Sequence, residues 1–404
     1  MSHSAPHTGM TPKDKGYRSA VLAAVCAGLA SFNALYATQA ILPDISAEFG
    51  VSPSIAALTV SATTGALALS LIPVGIASER WGRRRVMQYS IICATLMSLL
   101  LAIAPSAESL IALRAIQGIA VAGVPAVAMV YLAEEVAPEY LPKVMGMYVA
   151  GTSLGGLSGR LIPGVVLEVA SWRVALVCSA AFAIGTGVLT AWKMPASQNF
   201  EAKRITVGHE LRALRSHLAE PRLVKLFALA FLFMGGFVSL YNYLGFRLTE
   251  DFGLAPSVAA LVFVLYLSGT WSSARAGNFV RRWGRGKVLV GCVVMALIGL
   301  CGLLVSWLPL AIVATLVFTA SFFAAHSVAS GWVGAVATHD RAEASSMYML
   351  LYYVGSSVVG WVSGYFFHMG WATLVGWLIG LYAVALLLAL RLMTGSRRRA
   401  RAAA

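Results

Sequence analysis

The stretch that decides the fold is Gly75-Ile-Ala-Ser-Glu79-Arg80-Trp81-Gly82-Arg83-Arg84-Arg85, a short basic turn between two apolar runs. A second copy, Gly277-Asn-Phe-Val-Arg281-Arg282-Trp283-Gly284-Arg285-Gly286-Lys287, follows at an offset of 202 residues, counted from Gly75 to Gly277. Apolar runs of about 20 residues are long enough to cross a bilayer as helices. Two copies of one cationic loop at matching places therefore predict a duplicated, all-α integral membrane protein.

The composition supports the same class. Of the residues, 59% are hydrophobic and 11% are charged, whereas a soluble domain has about 45–50% apolar and about 25% charged residues. The apolar runs are unbroken, unlike the alternating strands of a membrane β-barrel. The net charge of +14 comes from basic residues at the ends of apolar runs, as in cytoplasmic loops of membrane proteins. We therefore expect a lipid bilayer and no nucleic acid as partner.

Spacing of the apolar runs predicts twelve spans, six on each side of one long polar segment. The spans are 17–42, 53–77, 86–105, 109–133, 143–168, 172–193, 221–247, 256–279, 287–306, 309–336, 343–367 and 371–393. The predicted domains are a tail (1–16), an N-terminal half (17–193), a linker (194–220), a C-terminal half (221–393) and a basic tail (394–404). Within the linker, Val207–Leu218 has the pattern of an amphipathic helix on a membrane surface.

The distribution of Lys and Arg predicts the topology. With both termini on one side, that side carries 25 of the 30 basic residues, and the other side carries only Arg173 and Arg247. Positive loops stay in the cytoplasm, so we expect both termini there. The first run is too long for the apolar region of a signal peptide and is expected to remain as a span.

The internal repeat extends beyond the basic loop. Glu48–Pro53 resembles Asp251–Pro256 at an offset of 203 residues. Gly155 and Gly159 match Gly360 and Gly364 at an offset of 205 residues. Parallel six-helix halves related by an axis along the membrane normal are typical of transporters that bind substrate at mid-membrane.

The basic loop also resembles the signature G-x-x-x-D-R-x-G-R-R of the major facilitator superfamily, with Glu79 in place of Asp and Arg281 at that place in the second copy. Leu110–Gly118 resembles the helix-four signature of that family, L-x-x-x-R-x-x-Q-G. The resemblance implies the twelve-helix major facilitator fold and alternating access. It also implies a gate at the loops, formed by Gly75, Glu79, Arg80, Gly82, Arg83, Arg84, Gly277, Arg281, Gly284 and Arg285.

A closer resemblance covers nearly the whole chain. Ser153–Leu161, Tyr241–Leu248 and Phe322–Ser330 are similar to segments of the YnfM-type transporters, close to the drug:proton antiporters. The resemblance implies a bacterial inner-membrane protein driven by an ion gradient, H⁺ above all, with no cofactor. The fifth span also resembles the glycine signature of exporters, without its intact Gly-Pro pair, and Gly151, Gly155 and Gly159 are its predicted helix-packing residues.

Two arginines inside predicted spans are the first candidates for proton or substrate handling. Arg114, with Gln117 beside it in the signature, lies near the outer end of the fourth span, so a side chain reaching the membrane surface is the alternative. Arg160 lies deep in the fifth span, where a charge usually faces the bundle interior or a cavity. The alternative for Arg160 is a bond to a carbonyl freed by Pro163.

Polar side chains of the first and seventh spans are further candidates for a central cavity. Asn33, Tyr36 and Gln39 recur every three residues, near one helical face. Tyr241 and Asn242 lie in the seventh span, and the repeat places Asn242 at the position of Gln39. Hydrogen bonding between helices is an equally good interpretation. His326 titrates near neutral pH when unperturbed and is the last candidate, against a packing role.

No Asp or Glu lies in the middle of a predicted span. This absence argues against a cationic cargo and favours a neutral or anionic organic solute. The leading hypothesis is a monomeric, proton-coupled exporter of a small metabolite or drug, and the alternative is uptake of an organic anion. A membrane enzyme or a sensor on this scaffold is disfavoured because the sequence has no H-E-x-x-H motif, no phosphate-binding loop and no long cytoplasmic domain. No metal site is expected.

Overall fold

The computed structural model describes residues 9–200 and 207–402, and this part of the chain is helical with no β-strand. The helices are α1 (Lys15–Tyr36), α2 (Leu42–Phe49), α3 (Pro53–Trp81), α4 (Arg83–Leu101), α5 (Ala107–Val121), α6 (Gly123–Glu135), α7 (Leu141–Val166), α8 (Trp172–Lys193), α9 (Val207–Leu218), α10 (Pro221–Phe246), α11 (Pro256–Ala260), α12 (Tyr266–Trp283), α13 (Arg285–Gly302), α14 (Leu308–Val336), α15 (Arg341–His368) and α16 (Trp371–Ala402).

The predicted fold class is confirmed, but the count of twelve spans is not exact. Ten helical stretches of the described residues are long and apolar enough to cross a membrane. Helices α4 and α7 lie where the third and fifth spans were predicted, and their lengths are similar to those of the predicted spans. They are nevertheless not among the ten stretches. The reason lies in their composition, since α4 begins with three arginines and α7 contains Lys143, Arg160 and a series of glycines.

Three predicted spans are interrupted in the structure. The first ends as an α-helix at Tyr36, continues through a 3₁₀ turn at Gln39–Ile41 and resumes as α2. The fourth is divided at Ala122 into α5 and α6. The eighth contains a 3₁₀ segment, Leu261–Leu265, between α11 and α12. Such breaks free backbone carbonyls and amides, which then need other partners.

The helices pack in two groups. Helices α1 and α3–α8 contact mainly one another, and α10 and α12–α16 do the same. The groups meet where α3 packs on α15, where α7 packs on α11 and α12, and where the 3₁₀ turn after α1 meets α10. The linker helix α9 lies against α10 and α15, where His217 is buried and lies 3.0 Å from the carbonyl oxygen of Asp340. We call the end of the bundle that carries α9 and the two basic loops the linker end.

The two groups are in close contact at the end opposite the linker. Ser54 donates to the carbonyl of Trp361 at 3.4 Å, and Ser257 donates to Glu168 at 2.5 Å. Gly164 faces Ala260 there so closely that an added Cβ would lie 2.1 Å from the alanine methyl. At the linker end, by contrast, an added Cβ on Gly75 or Gly277 would have no atom within 4 Å. No helix therefore packs closely on Gly75 or Gly277 in this conformation.

Candidate functional site

A buried arginine lies at the contact between the two groups of helices. Arg160 of α7 is 2% exposed, and its Nε donates to Gln39 Oε1 at 2.7 Å. Its Nη1 donates to the carbonyl of Gly156 at 2.7 Å. Pro163 has no amide hydrogen, so the carbonyl of Gly159 lacks its usual helical partner. Arg160 does not bond that carbonyl.

Aromatic rings surround the Arg160 guanidinium from both groups of helices. Its central carbon lies 3.9 Å from the ring centroid of Tyr36 in α1, 4.5 Å from that of Tyr266 in α12 and 5.2 Å from that of Phe263. A cation over an aromatic face is attracted by the ring quadrupole, more strongly where water is excluded. In the described part of the chain, Arg160 makes no salt bridge. Its charge is thus stabilised by dipoles and rings, without a carboxylate.

The hydrogen bonds of Arg160 continue into the second group. Gln39 Nε2 donates to Asn242 Oδ1 at 2.6 Å, and both side chains are buried. The 3₁₀ turn after Tyr36 brings Gln39 to this position. The Asn242 Nδ2 and the Tyr266 hydroxyl are buried and have no hydrogen-bond partner among the described residues. A buried polar group without a partner costs free energy, so these two atoms are available to a bound solute.

An aromatic cluster of the second group supports this site. Tyr241 packs on Phe263 and Tyr266, with ring centroids at 5.4 Å and 4.8 Å, and its hydroxyl lies 2.7 Å from Thr319 Oγ1. Phe237 stacks on Phe322 at 3.9 Å. Tyr241 therefore holds the rings that face Arg160 and does not contact the guanidinium itself.

His326 lies beside the same cluster. Its Nδ1 is 3.1 Å from the Tyr348 hydroxyl, and its ring centroid is 4.7 Å from that of Tyr352. It also stacks at 6.1 Å on Phe322. These contacts satisfy the histidine within the second group, as the packing interpretation expects, while its half-buried side chain stays next to the aromatic rings.

Arg114 lies elsewhere, entirely inside the first group. The side chain is 0% exposed and donates to the carbonyls of Thr59 at 2.8 Å and Ala34 at 2.7 Å, and also to that of Leu35. The break of α1 after Tyr36 leaves its last carbonyls without amide partners, and Arg114 fills that need. The alternative of a side chain that reaches the membrane surface is wrong, because nothing of it is exposed.

Gln117 and Asn33 complete the packing of the first group. Gln117 accepts from Arg114 and donates to Ser98 Oγ at 2.8 Å, which joins α5 to α4. The Asn33 side-chain amide lies 3.0 Å from Ser158 Oγ and 2.9 Å from Ser179 Oγ, between α7 and α8. Asn33 thus contacts α7 and α8 and does not reach the Arg160 site, although it lies in the same unbroken helix as Tyr36.

The glycines of α7 allow α7 to lie directly on α1. An added Cβ on Gly151 would come within 2.6 Å of the Val25 carbonyl oxygen, and one on Gly155 within 2.6 Å of that of Leu29. An added Cβ on Gly159 would likewise come within 2.5 Å of the Asn33 carbonyl oxygen. This approach places Arg160 next to the break after Tyr36.

The two basic loops differ in their contacts. Both turn through a glycine with positive φ, 88° at Gly82 and 81° at Gly284, a conformation that favours glycine. In the first loop, Arg83 is buried and forms ion pairs with Glu79 and, at 3.0 Å, with Glu134.

Two further residues of the predicted gate have no ion pair among the described residues. Arg80 of the first loop is exposed. In the second loop, Arg281 donates to Asn278 Oδ1 at 2.6 Å.

Tyr266 and Phe263, whose rings face the Arg160 guanidinium, are not among the residues predicted from the sequence. Tyr266 and Phe263 are three residues apart in the eighth predicted span, and this spacing was the available signal. A pair of aromatic residues in a membrane span more often packs against other helices than binds a ligand. The contact of α7 with α12 is what brings Tyr266 and Phe263 to Arg160.

Comparison with known proteins defines the class. The model of the Major Facilitator Superfamily matches residues 21–271. The inner membrane transport protein YnfM of Escherichia coli is 39% identical over 379 residues, which are 93% of this chain and 89% of that protein. The uncharacterized MFS-type transporter YybF of Bacillus subtilis is 35% identical over 374 residues, 92% of each chain.

The chain belongs to the Major Facilitator Superfamily. It is a multi-pass membrane transporter of a small solute and not an enzyme, and proteins of this family need no cofactor. A solved structure with the same fold is a bacterial homologue of the human lysosomal transporter Spinster in an inward-facing conformation. Its TM-score is 0.75 at 16% identity, with 95% of this chain and 98% of that chain covered.

Proposed function

We propose that the protein exports a small neutral or anionic organic solute in exchange for protons, with the solute bound at Arg160. The observation that carries the proposal is the buried Arg160 guanidinium, which makes no salt bridge among the described residues and lies between helices of both groups. An anion there would gain a charge-assisted hydrogen bond. The unpartnered Asn242 Nδ2 and Tyr266 hydroxyl lie on the other side of the same contact.

The proposed mechanism is alternating access by two rigid halves, residues 17–193 and 221–393. The contact of the halves at Ser54 with Trp361 and at Ser257 with Glu168 closes the end opposite the linker. The clearance beside Gly75 and Gly277, where an added Cβ would have no atom within 4 Å, supports a linker end that is open in this conformation. In the opposite state the basic loops would approach each other and form the gate, with Glu79, Arg80 and Arg83 on one side and Arg281 and Arg285 on the other.

The direction and the orientation are supported by the sequence. The glycine series of α7 is similar to that of exporters, and its close contact with α1 is in keeping with that resemblance. The basic residues concentrated at the linker end favour a cytoplasmic position of that end and of both termini. We further propose a monomer in a bacterial inner membrane, since the Arg160 site is made by one chain.

The test is an export screen followed by reconstitution. Cells with and without the gene are compared for metabolites and drugs that accumulate outside, and the solute found is then loaded into proteoliposomes of the purified protein. An imposed pH gradient is expected to drive its movement. Flux that ignores a collapsed pH gradient contradicts proton coupling, and flux only toward the linker end supports uptake of an organic anion instead.

A further inference from the structure

The second basic loop borders a pocket that lies apart from the Arg160 site. The pocket has a volume of about 320 Å³ and lies at the linker end, between α12, α13, α14 and α16. We call it the tryptophan pocket. It is lined by Trp283, Gly284, Arg285, Gly286, Lys287, Trp332 and Met393.

The internal repeat shows how this pocket differs from the same place in the first half. At an offset of 202 residues, Arg285 is the counterpart of Arg83, which Glu79 and Glu134 hold in a buried ion-pair cluster. The counterparts of those two acids are Arg281 and Val336. Segment 277–287 contains four basic residues and no acid.

Within the residues that the structure describes, the cations of the tryptophan pocket therefore lack a counterion. Arg285 and Lys287 are exposed, and neither has a salt bridge or hydrogen bond in the part of the chain that the structure describes. Arg84 of the first loop is replaced by Gly286, over which Met393 of α16 packs at a distance that leaves no room for a Cβ. The first loop thus has a closed ion-pair cluster where the second has an open, positively charged pocket.

The remaining wall of the pocket is apolar. Trp332 is 7% exposed, and Trp283 is 50% exposed with its ring stacked on Phe279 at 5.5 Å. Tryptophan is enriched at the membrane–water interface, where one side of the ring is apolar and the other is wet. A ligand that matches these groups carries a negative charge next to an apolar body.

We propose that the tryptophan pocket binds the phosphate-bearing headgroup of an anionic phospholipid from the membrane leaflet at the linker end. Basic pockets between membrane helices recognise such headgroups, and each surface Lys or Arg contributes about a fivefold gain in affinity. The phosphate would lie at Arg285 and Lys287, and the glycerol and upper acyl chain at Trp283, Trp332 and Met393. A soluble phosphate shares the anionic chemistry but would not use the apolar wall.

The test measures lipid binding to the full chain in detergent by native mass spectrometry. The probes are phosphatidylglycerol, the zwitterionic phosphatidylethanolamine and inorganic phosphate, and the variant is Arg285→Gln with Lys287→Gln. We expect the unmodified protein to retain phosphatidylglycerol over phosphatidylethanolamine. The double variant should lose roughly 25-fold in affinity for phosphatidylglycerol, about fivefold for each cation.

The charge-matched control is Arg18→Gln with Lys143→Gln, two exposed cations at the same end of the bundle. It should leave phosphatidylglycerol binding unchanged. An equal loss in both double variants would assign the affinity to general surface charge and overturn the proposal. Binding of inorganic phosphate that depends on Arg285 and Lys287, without retention of phosphatidylglycerol, would overturn it in favour of a soluble anion.

A second measurement needs no change to the cations. Phosphatidylglycerol brominated near the headgroup quenches tryptophan fluorescence on contact. We expect stronger quenching than with brominated phosphatidylethanolamine, and Trp283→Phe should remove part of the difference. Equal quenching by the two lipids contradicts the proposal. Both measurements are independent of the transported solute, so they separate this pocket from the Arg160 site.

Discussion

Gln39 and Asn242 are equivalent residues of the internal repeat, and they are hydrogen-bonded to each other at 2.6 Å. Their separation of 203 residues is the offset that relates the two halves. Two residues related by a two-fold axis can touch only where both lie at that axis. The contact therefore marks the pseudo-two-fold axis of the bundle, and Arg160 donates to Gln39 directly beside it.

Gln39 offers a first test of an anionic cargo. Gln39→Glu would place a carboxylate at the position 2.7 Å from Arg160 Nε, so the arginine would gain an internal ion pair. We expect strong inhibition of transport of an anionic solute, because the solute must compete with that carboxylate. Gln39→Met is the matched control, since it removes the hydrogen bond without adding charge. Equal transport by the two variants, measured in proteoliposomes, would contradict an anionic cargo.

Substitutions of the two buried arginines, Arg114 and Arg160, are expected to have different effects on stability and transport. Arg114→Gln should lower thermal stability, because three carbonyls lose a charged donor and each such bond is worth about 1.5–3 kcal/mol. Arg160→Gln should change transport more than stability. Thermal unfolding in detergent measures the first effect. A stable Arg114→Gln protein that has lost transport would return Arg114 to proton or substrate handling.

The glycines of α7 predict a difference within one helix. Gly155→Ala places a methyl 2.6 Å from the carbonyl oxygen of Leu29 and should destabilise the protein by about 1–3 kcal/mol through overpacking. Gly146→Ala is the control, because nothing lies within 4 Å of an added Cβ there. It should be neutral or slightly stabilising, since alanine favours helix. Unfolding temperatures that do not differ would contradict the close contact of α7 with α1.

The ion-pair cluster of the first loop should contribute more to the stability of the protein than the corresponding residues of the second loop. Glu134→Gln removes one of two carboxylates from Arg83, whose side chain is 4% exposed. Breaking a buried pair costs about 3–5 kcal/mol, and the remaining Glu79 should keep the loss below that range. Arg281→Gln loses one side-chain hydrogen bond among the described residues, that to Asn278, and should be nearly neutral. A larger loss of stability for Arg281→Gln than for Glu134→Gln would contradict this difference between the two loops.

Much of the fold was predictable because membrane spans leave long signals. The apolar runs, the basic loops and the repeat gave the helix order and the equivalence of Gln39 with Asn242. The breaks after Tyr36 and at Ala122 were not predicted, because polar residues such as Thr38 and Gln39, and residues such as Gly123 and Pro125, are also tolerated inside unbroken membrane helices. The break after Tyr36 sets the position of Gln39 and frees the carbonyls that Arg114 bonds, so the role of Arg114 could not be assigned from the sequence alone.

The site was predictable in part for the same reason. A deep arginine such as Arg160 is conspicuous against a lipid background, and its importance can be inferred before any contact is known. Its ring partners Tyr266 and Tyr36 come from different halves, and their meeting depends on how α7, α12 and α1 pack. The three-residue spacing of Tyr36 and Gln39 made Tyr36 a candidate, but no pattern in the sequence pairs Tyr36 with Tyr266.

The most direct test of the account is solute flux through proteoliposomes that contain Arg160→Gln, compared with the unmodified protein. The cargo is the solute that the export screen identifies, and monodispersity and unfolding temperature confirm an intact protein. The account predicts a loss of flux of about 10- to 100-fold, as for one charge-assisted hydrogen bond, with partial recovery in Arg160→Lys. Normal flux through Arg160→Gln would contradict a binding site at Arg160.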